Sequence, residues 1–238
     1  MVDSGVLHFV RESLPAAPAR VLEIGAGDGG LAQALAADGY DVLAIDPASI
    51  SNGVRPVALH ELDETPGSFD AAVAVVALHH VEPLRRSCRR LAELVRPGGT
   101  LVLDEIDVER FDERAARWWL EHRPPDHDHG LDGGHGHARD HDPGHGHGKG
   151  HDDGHGHGHE PLSPEAAVAW LRHHCHSLDV MEDALVEGFE LGPLVRGPYL
   201  YRWELGPELR ASEEQEIAAG ALPAVGVRVV GTRRPGQA

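Results

Sequence analysis

The 238-residue chain is poor in cysteine and in positive charge, and it has no long hydrophobic run. Two cysteines, Cys88 and Cys175, cannot build the disulfide framework of a small secreted domain, and they suit a reducing cytoplasm. Lys and Arg number 21 against 39 Asp and Glu, for a formal net charge of −18 with His neutral. This balance argues against a nucleic-acid partner, which needs clustered cations to displace phosphate counterions, and against an anionic membrane surface. The longest clean apolar run, residues 71–78, falls far short of the ~20 residues that cross a bilayer. Asp3 and the lack of an apolar core near the N-terminus argue against a signal peptide, so the cytoplasm is the expected compartment.

What is present suffices for one sizeable α/β core: 41% of the residues are hydrophobic. Three zones follow one another: residues 1–122 and 162–238 carry globular patterning, and residues 123–161 form a low-complexity insert. Helical spacing predicts a helix over residues 4–14 and another over 31–37. Strands are expected at 21–24, 41–45, 54–59 and 100–103, with a fully buried one at 69–78. Leu84, Cys88, Leu91 and Val95 give the buried stripe of a helix that opens near Pro83. Ser163-Pro164 caps a helix running to about residue 176. Tyr199, Tyr201 and Trp203 sit at period two and read as one face of a strand. Residues 212–215 form a capping box for a short helix. Residues 225–231 read as a final strand, half of an antiparallel hairpin at the sheet edge. Strands alternating with helices imply a mostly parallel sheet.

The sharpest motif is Glu23-Ile24-Gly25-Ala26-Gly27-Asp28-Gly29-Gly30, a strand running into glycines and then a helix. Such a turn needs glycine dihedrals and brings a ligand close to backbone and helix N-terminus. Asp46 ends the next strand 21 residues after Gly25, where a carboxylate can accept both hydroxyls of an adenosine ribose. Gly25, Gly27 and Gly30 also satisfy the dinucleotide fingerprint, so a nicotinamide-dependent oxidoreductase is one alternative. Glu23 argues against it, because a carboxylate sits poorly beside a pyrophosphate but suits an amino-acid ammonium. Asp46-Pro47 and the segment Arg96-Pro97-Gly98-Gly99-Thr100-Leu101 point the same way.

Four motifs in this order resemble those of the class I S-adenosylmethionine-dependent methyltransferases: residues 21–29, 41–47, 68–83 and 94–103. The resemblance covers residues 4–105 and, more weakly, the C-terminal strands. It implies a Rossmann-like α/β fold with strand order 3-2-1-4-5-7-6, strand seven antiparallel, and helices on both faces. It also implies S-adenosylmethionine as cofactor. Gly25, Ala26 and Gly27 would contact its methionine part, Glu23 its ammonium, and Asp46 with Pro47 its ribose side. Glu61, or else Asp63, would lie near the adenine, and Leu78 and His79 would line the pocket. Methyl transfer from a sulfonium is an in-line displacement in which positioning supplies much of the rate. A base is needed only if the acceptor loses a proton. The candidates are His79, His80, Asp104 and Glu105, at carboxyl ends of strands. The acceptor is expected to be a small molecule.

The insert holds 11 of the 19 histidines within residues 126–159, separated mostly by Gly and Asp. With almost no apolar side chains it is expected to be disordered. His145, His147, His155, His157 and His159 are typical of its imidazoles, which suit divalent Ni, Zn or Cu without a fixed geometry. A second alternative is therefore a metal-binding protein on a non-catalytic methyltransferase fold. His173, His174, Cys175 and His176 read as a helix surface.

Overall fold

The computed structural model describes residues 2–123 and 163–235. Fifteen main elements run in this order: α1 (Ser4–Ser13), β1 (Arg20–Ile24), α2 (Gly30–Ala37), β2 (Asp41–Ile45), β3 (Val54–Arg55), β4 (Phe69–Val75), α3 (Leu84–Leu94), β5 (Val95–Ile106), α4 (Glu113–His122), α5 (Pro164–His174), α6 (Leu178–Leu185), β6 (Phe189–Leu191), β7 (Val195–Gly197), α7 (Arg210–Ala218) and β8 (Gly226–Arg233). The sheet order is β3-β2-β1-β4-β5-β8-β6, with β7 also pairing β8. Strands β1 to β5 pair in parallel, and β8 is antiparallel to β5.

This is the expected 3-2-1-4-5-7-6 order with its sixth strand in two pieces. β6 pairs residues 231–233 of β8 and β7 pairs residues 226–228, so the two lie along one edge. Gly192 still donates its N–H to the Val230 carbonyl at 2.9 Å. Pro193, which follows, has no N–H to give, and the ladder breaks there. The last strand is not half of an edge hairpin: β8 is inserted between β5 and the broken edge, and α7 intervenes before it. At the opposite edge β3 is only two residues long, because Pro56 ends the ladder that the sequence pattern carries to residue 59.

Alternation along the strands divides the core into two faces. Leu22, Ala72, Leu101 and Val229 pack with α3 and α6 through Cys88, Leu91, Met181 and Leu185. Val21, Ala71, Val73 and Val102 face α1 and α2 through Val6, Val10, Leu31 and Leu35. β4 is buried on both faces over Ala71–Ala74, as its continuous apolar run requires. Caps fix the helix starts: Asp3 accepts from Gly5 and Val6 N–H, and Ser163 Oγ accepts from Ala166 N–H at 3.1 Å. Beyond the carboxyl end of β5 a third cluster joins Ile106, Phe111, Trp118, Leu171 and Tyr199. No helix among the described residues is long and apolar enough to cross a membrane.

Tyr199, Tyr201 and Trp203 do not form a strand face. Residues Leu200–Arg202 make a 3₁₀ turn. The cause is Glu213, fully buried, whose carboxylate accepts the N–H groups of Tyr199, Leu200 and Tyr201 at 2.8, 3.0 and 2.9 Å. Three successive amides bound to one carboxylate cannot serve a strand ladder. The predicted capping box does not form: α7 opens at Arg210 with no side-chain cap, and Ser212 and Gln215 both lie inside it.

Candidate active site

β1 delivers the chain into Gly25, and Gly25 and Gly27 take φ values of 69° and 53°. A Cβ on Gly25 would sit 2.4 Å from the Ala77 Cβ, so the loops after β1 and β4 touch only because this residue is glycine. The Ile45 carbonyl accepts from Gly25 and Ala26 at 2.9 and 3.1 Å. Asp46 at the end of β2 binds Gly27 N–H with Oδ2 at 3.0 Å and Ala48 N–H with Oδ1 at 2.9 Å. Its carboxylate thus holds the glycine loop to the turn after β2.

Two clefts flank this loop. The smaller, about 710 Å³, is bordered by Asp46, Pro47, Ala48, Leu59 and Val81. The larger, about 850 Å³, is bordered by Glu23, Ala26, His79, Trp170, Tyr199 and Trp203. They meet at Gly25, Asp28, Val76 and His80, which border both. Val76, at φ 53°, is a β-branched residue held in the left-handed region at this junction.

Glu23 is 4% exposed, and its Oε2 has no hydrogen-bond partner among the described residues. Burial pushes its acid up to about 8; the Ala32 N–H partly opposes this, and the nearby Asp28 charge adds to it. A buried, half-satisfied carboxylate in a cleft wall is a place for a cation.

The loop after β4 is anchored by Glu105 of β5. Its Oε1 accepts from Ala77 N–H at 3.0 Å and Leu78 N–H at 2.6 Å, and its Oε2 meets His79 Nδ1 at 2.6 Å. Glu105 therefore holds the loop rather than facing a substrate, while His79 borders the larger cleft. Asp104 pairs with Arg202 and Arg228 and is likewise engaged.

Two residues expected along the cofactor lie elsewhere. Leu78 is fully buried under α3 and α6, and Val76 and Ala77 border the cleft in its place. Glu61 ends a 3₁₀ turn (Leu59–Glu61) and points to solvent, as does Asp63; the lining there comes from Val57, Ala58 and Leu59. Trp119 stacks on Trp203 at 4.3 Å and donates to its carbonyl, so it backs the wall of the larger cleft. His145, His147, His155, His157 and His159 lie outside the described residues.

The sequence pattern places Cys175 on a helix surface. In the structure α5 ends at His174, and Cys175 turns inward, 8% exposed, with Sγ 3.9 Å from His80 Nε2. His176 is off the helix as well: its N–H donates to the His79 carbonyl at 2.8 Å, and its Nε2 lies 3.2 Å from the Val81 carbonyl. Nothing in local sequence links positions 95 residues apart.

A family profile described as a methyltransferase domain matches residues 4–137. Over 118 residues the chain is 35% identical to a ubiquinone biosynthesis O-methyltransferase of Xanthomonas campestris pv. campestris, covering 42% of this chain and 48% of that one. Over 100 residues it is 39% identical to an uncharacterized methyltransferase of Mycobacterium tuberculosis, covering 38% and 41%. The chain thus spans about half the length of the curated relatives it matches. Among solved structures it resembles an S-adenosylmethionine dependent methyltransferase from Mesorhizobium loti, with TM-score 0.55, 18% identity and 96% of each chain covered. It also resembles a putative one from Listeria monocytogenes, with TM-score 0.56, 14% identity, and 98% and 99% covered. At these identities the structural likeness speaks for the fold.

Proposed function

The chain belongs to the methyltransferase-domain family, and from that premise we propose that it transfers a methyl group from S-adenosylmethionine to a small-molecule acceptor. The observation that carries the reading is the buried Glu23 carboxylate, whose Oε2 has no partner among the described residues, beside a loop in which Gly25 leaves no room for a side chain. Glu23 Oε2 would hold the cofactor's ammonium, Gly25, Ala26 and Gly27 would line its methionine part, and the smaller cleft would hold its adenosine. There Asp46 and Pro47 border the ribose side. The two clefts, joined at Gly25 and Val76, together suit an elongated ligand with one cationic and one nucleoside end.

When bound, S-adenosylmethionine supplies an electrophilic methyl group. The protein's share is orientation, which alone accounts for roughly 7–11 kcal/mol in well-aligned reactions. Trp170, Tyr199 and Trp203 offer an apolar wall for the acceptor. His79 takes the proton from an acceptor hydroxyl, and Glu105 fixes the ring and stabilises its charged form. Glu105 is then a positioning residue. An oxygen acceptor agrees with the Xanthomonas relatives, which are O-methyltransferases by name. The net charge of −18 disfavours nucleic acid as acceptor. Both cysteines are free thiols, in keeping with a reducing cytoplasm.

Titration calorimetry tests the cofactor. S-adenosylmethionine and S-adenosylhomocysteine are expected to bind and NAD is not; NAD binding with no response to either sulfur nucleotide refutes the proposal.

A further inference from the structure

We propose that His79, His80 and Cys175 form a binding site for a single zinc-class divalent cation in the wall of the larger cleft. One ligand atom from each residue lies within 4.8 Å of the other two. Tetrahedral zinc bound to sulfur and imidazole places S and N about 3.6 Å apart. Cys175 Sγ lies 3.9 Å from His80 Nε2 and 4.0 Å from its Nδ1, a few tenths of an ångström from that distance, so a turn of the His80 ring would aim one nitrogen at the shared cation.

The set is chemically selective. A thiolate with two imidazoles suits Zn²⁺ and Co²⁺ and disfavours the hard oxygen-seeking Mg²⁺ and Ca²⁺. Behind His79 stands the partner that metal-bound histidines commonly have, a carboxylate on the other ring nitrogen: Glu105 Oε2 at 2.6 Å from Nδ1. This contact leaves Nε2 for the cation. The two supporting segments are also fixed to each other, because the His176 N–H donates to the His79 carbonyl directly beside the ligand residues. Three protein ligands leave a fourth position, the arrangement of sites that bind a water or a substrate. His79 and His80 both border the larger cleft, which provides that access.

This site is distinct from the histidines of residues 126–159 and does not rest on the methyl-transfer reading. A cation here takes up the His79 nitrogen that otherwise accepts the acceptor's proton. The metal-loaded and metal-free proteins therefore differ in how an acceptor is deprotonated.

The test is cobalt titration of the full-length protein, followed in the near ultraviolet, where only thiolate-bound cobalt gives an intense charge-transfer band. Histidines elsewhere in the chain contribute none. The band is expected in the native protein and in Cys88→Ser, and is lost in Cys175→Ser. Glu105→Gln should weaken the cobalt affinity read from this band by about 10–100-fold. No band at saturating cobalt, or a band that survives Cys175→Ser, overturns the proposal. Circular dichroism checks that each variant is folded. Should Cys175→Ser not fold, the alkylation rates of Cys175 and Cys88 in the native protein decide instead. Zinc should slow alkylation at Cys175 alone, and equal rates with and without zinc overturn the site.

Discussion

If the Glu23 carboxylate receives the cofactor's ammonium, binding must expel a proton. With its acid raised to about 8, roughly nine in ten unliganded molecules carry that proton at pH 7. A cation beside Oε2 returns the group to its ionised form, so close to one proton per site should be released at pH 7. Affinity should then rise by up to about tenfold per pH unit between pH 6 and 7.5, which is ~1.4 kcal/mol per unit. The stability of the unliganded protein runs the other way. The folded-state value lies above the unfolded value of 4.5, so the contribution is complete below pH 4.5 and is lost as pH climbs to about 8. Over that window the loss is on the order of 5 kcal/mol at most. Calorimetry with S-adenosylhomocysteine, which keeps the ammonium, in phosphate and in Tris at one pH reads the proton count directly. Glu23→Gln should abolish the release, flatten the pH dependence of affinity and stabilise the unliganded protein above pH 7. Proton uptake, no proton exchange at pH 7, or an unaltered pH profile in Glu23→Gln refutes the reasoning.

Other perturbations probe the same geometry. Asp46→Ala should weaken cofactor binding by about 1.5–3 kcal/mol, as for loss of a hydrogen bond to a charged group, while circular dichroism stays native. An unchanged dissociation constant would reduce Asp46 to a loop anchor. Gly25→Ala must push the loops after β1 and β4 apart and also strain a φ of 69°; cofactor binding should fall below detection by calorimetry, and retained binding would contradict the contact with Ala77. Deleting residues 126–159 should leave the thermal midpoint and cofactor affinity within error, because α4 and α5 pack on each other through Ala115, Ala116, Ala167 and Leu171. The same deletion should remove most of the nickel and zinc bound per chain, measured by equilibrium dialysis, while leaving the zinc held by His79, His80 and Cys175, and binding to the deleted histidines should weaken as pH falls below ~6.5.

The glycine loop and β4 are readable in sequence because each has a local physical cause: backbone angles that only glycine adopts freely, and a run apolar on both faces. Asp46 is legible by spacing alone. The errors have a common character. The period-two aromatics at 199, 201 and 203 match a strand pattern, yet a carboxylate ten or more residues downstream takes the amides of Tyr199 and Tyr201. Glu105 attracts attention as a free acid at a strand end, but it spends both oxygens on the neighbouring loop. Cys175 meets His80 through folding of segments on either side of the histidine-rich stretch, and no periodicity encodes such a meeting. Local rules find elements and turns; they do not find the destination of a buried polar group.

Each rim of the sheet is cut short by a proline. Pro56 stops β3 after two residues, and Pro193 divides the far edge into β6 and β7, three residues each. An open row of unpaired amides is a template on which another chain can add a strand. Among the described residues, the outermost strands β3, β6 and β7 are each only two or three residues long. Short rims of this kind disfavour strand addition between copies, so copies that meet are expected to recognise each other through side chains.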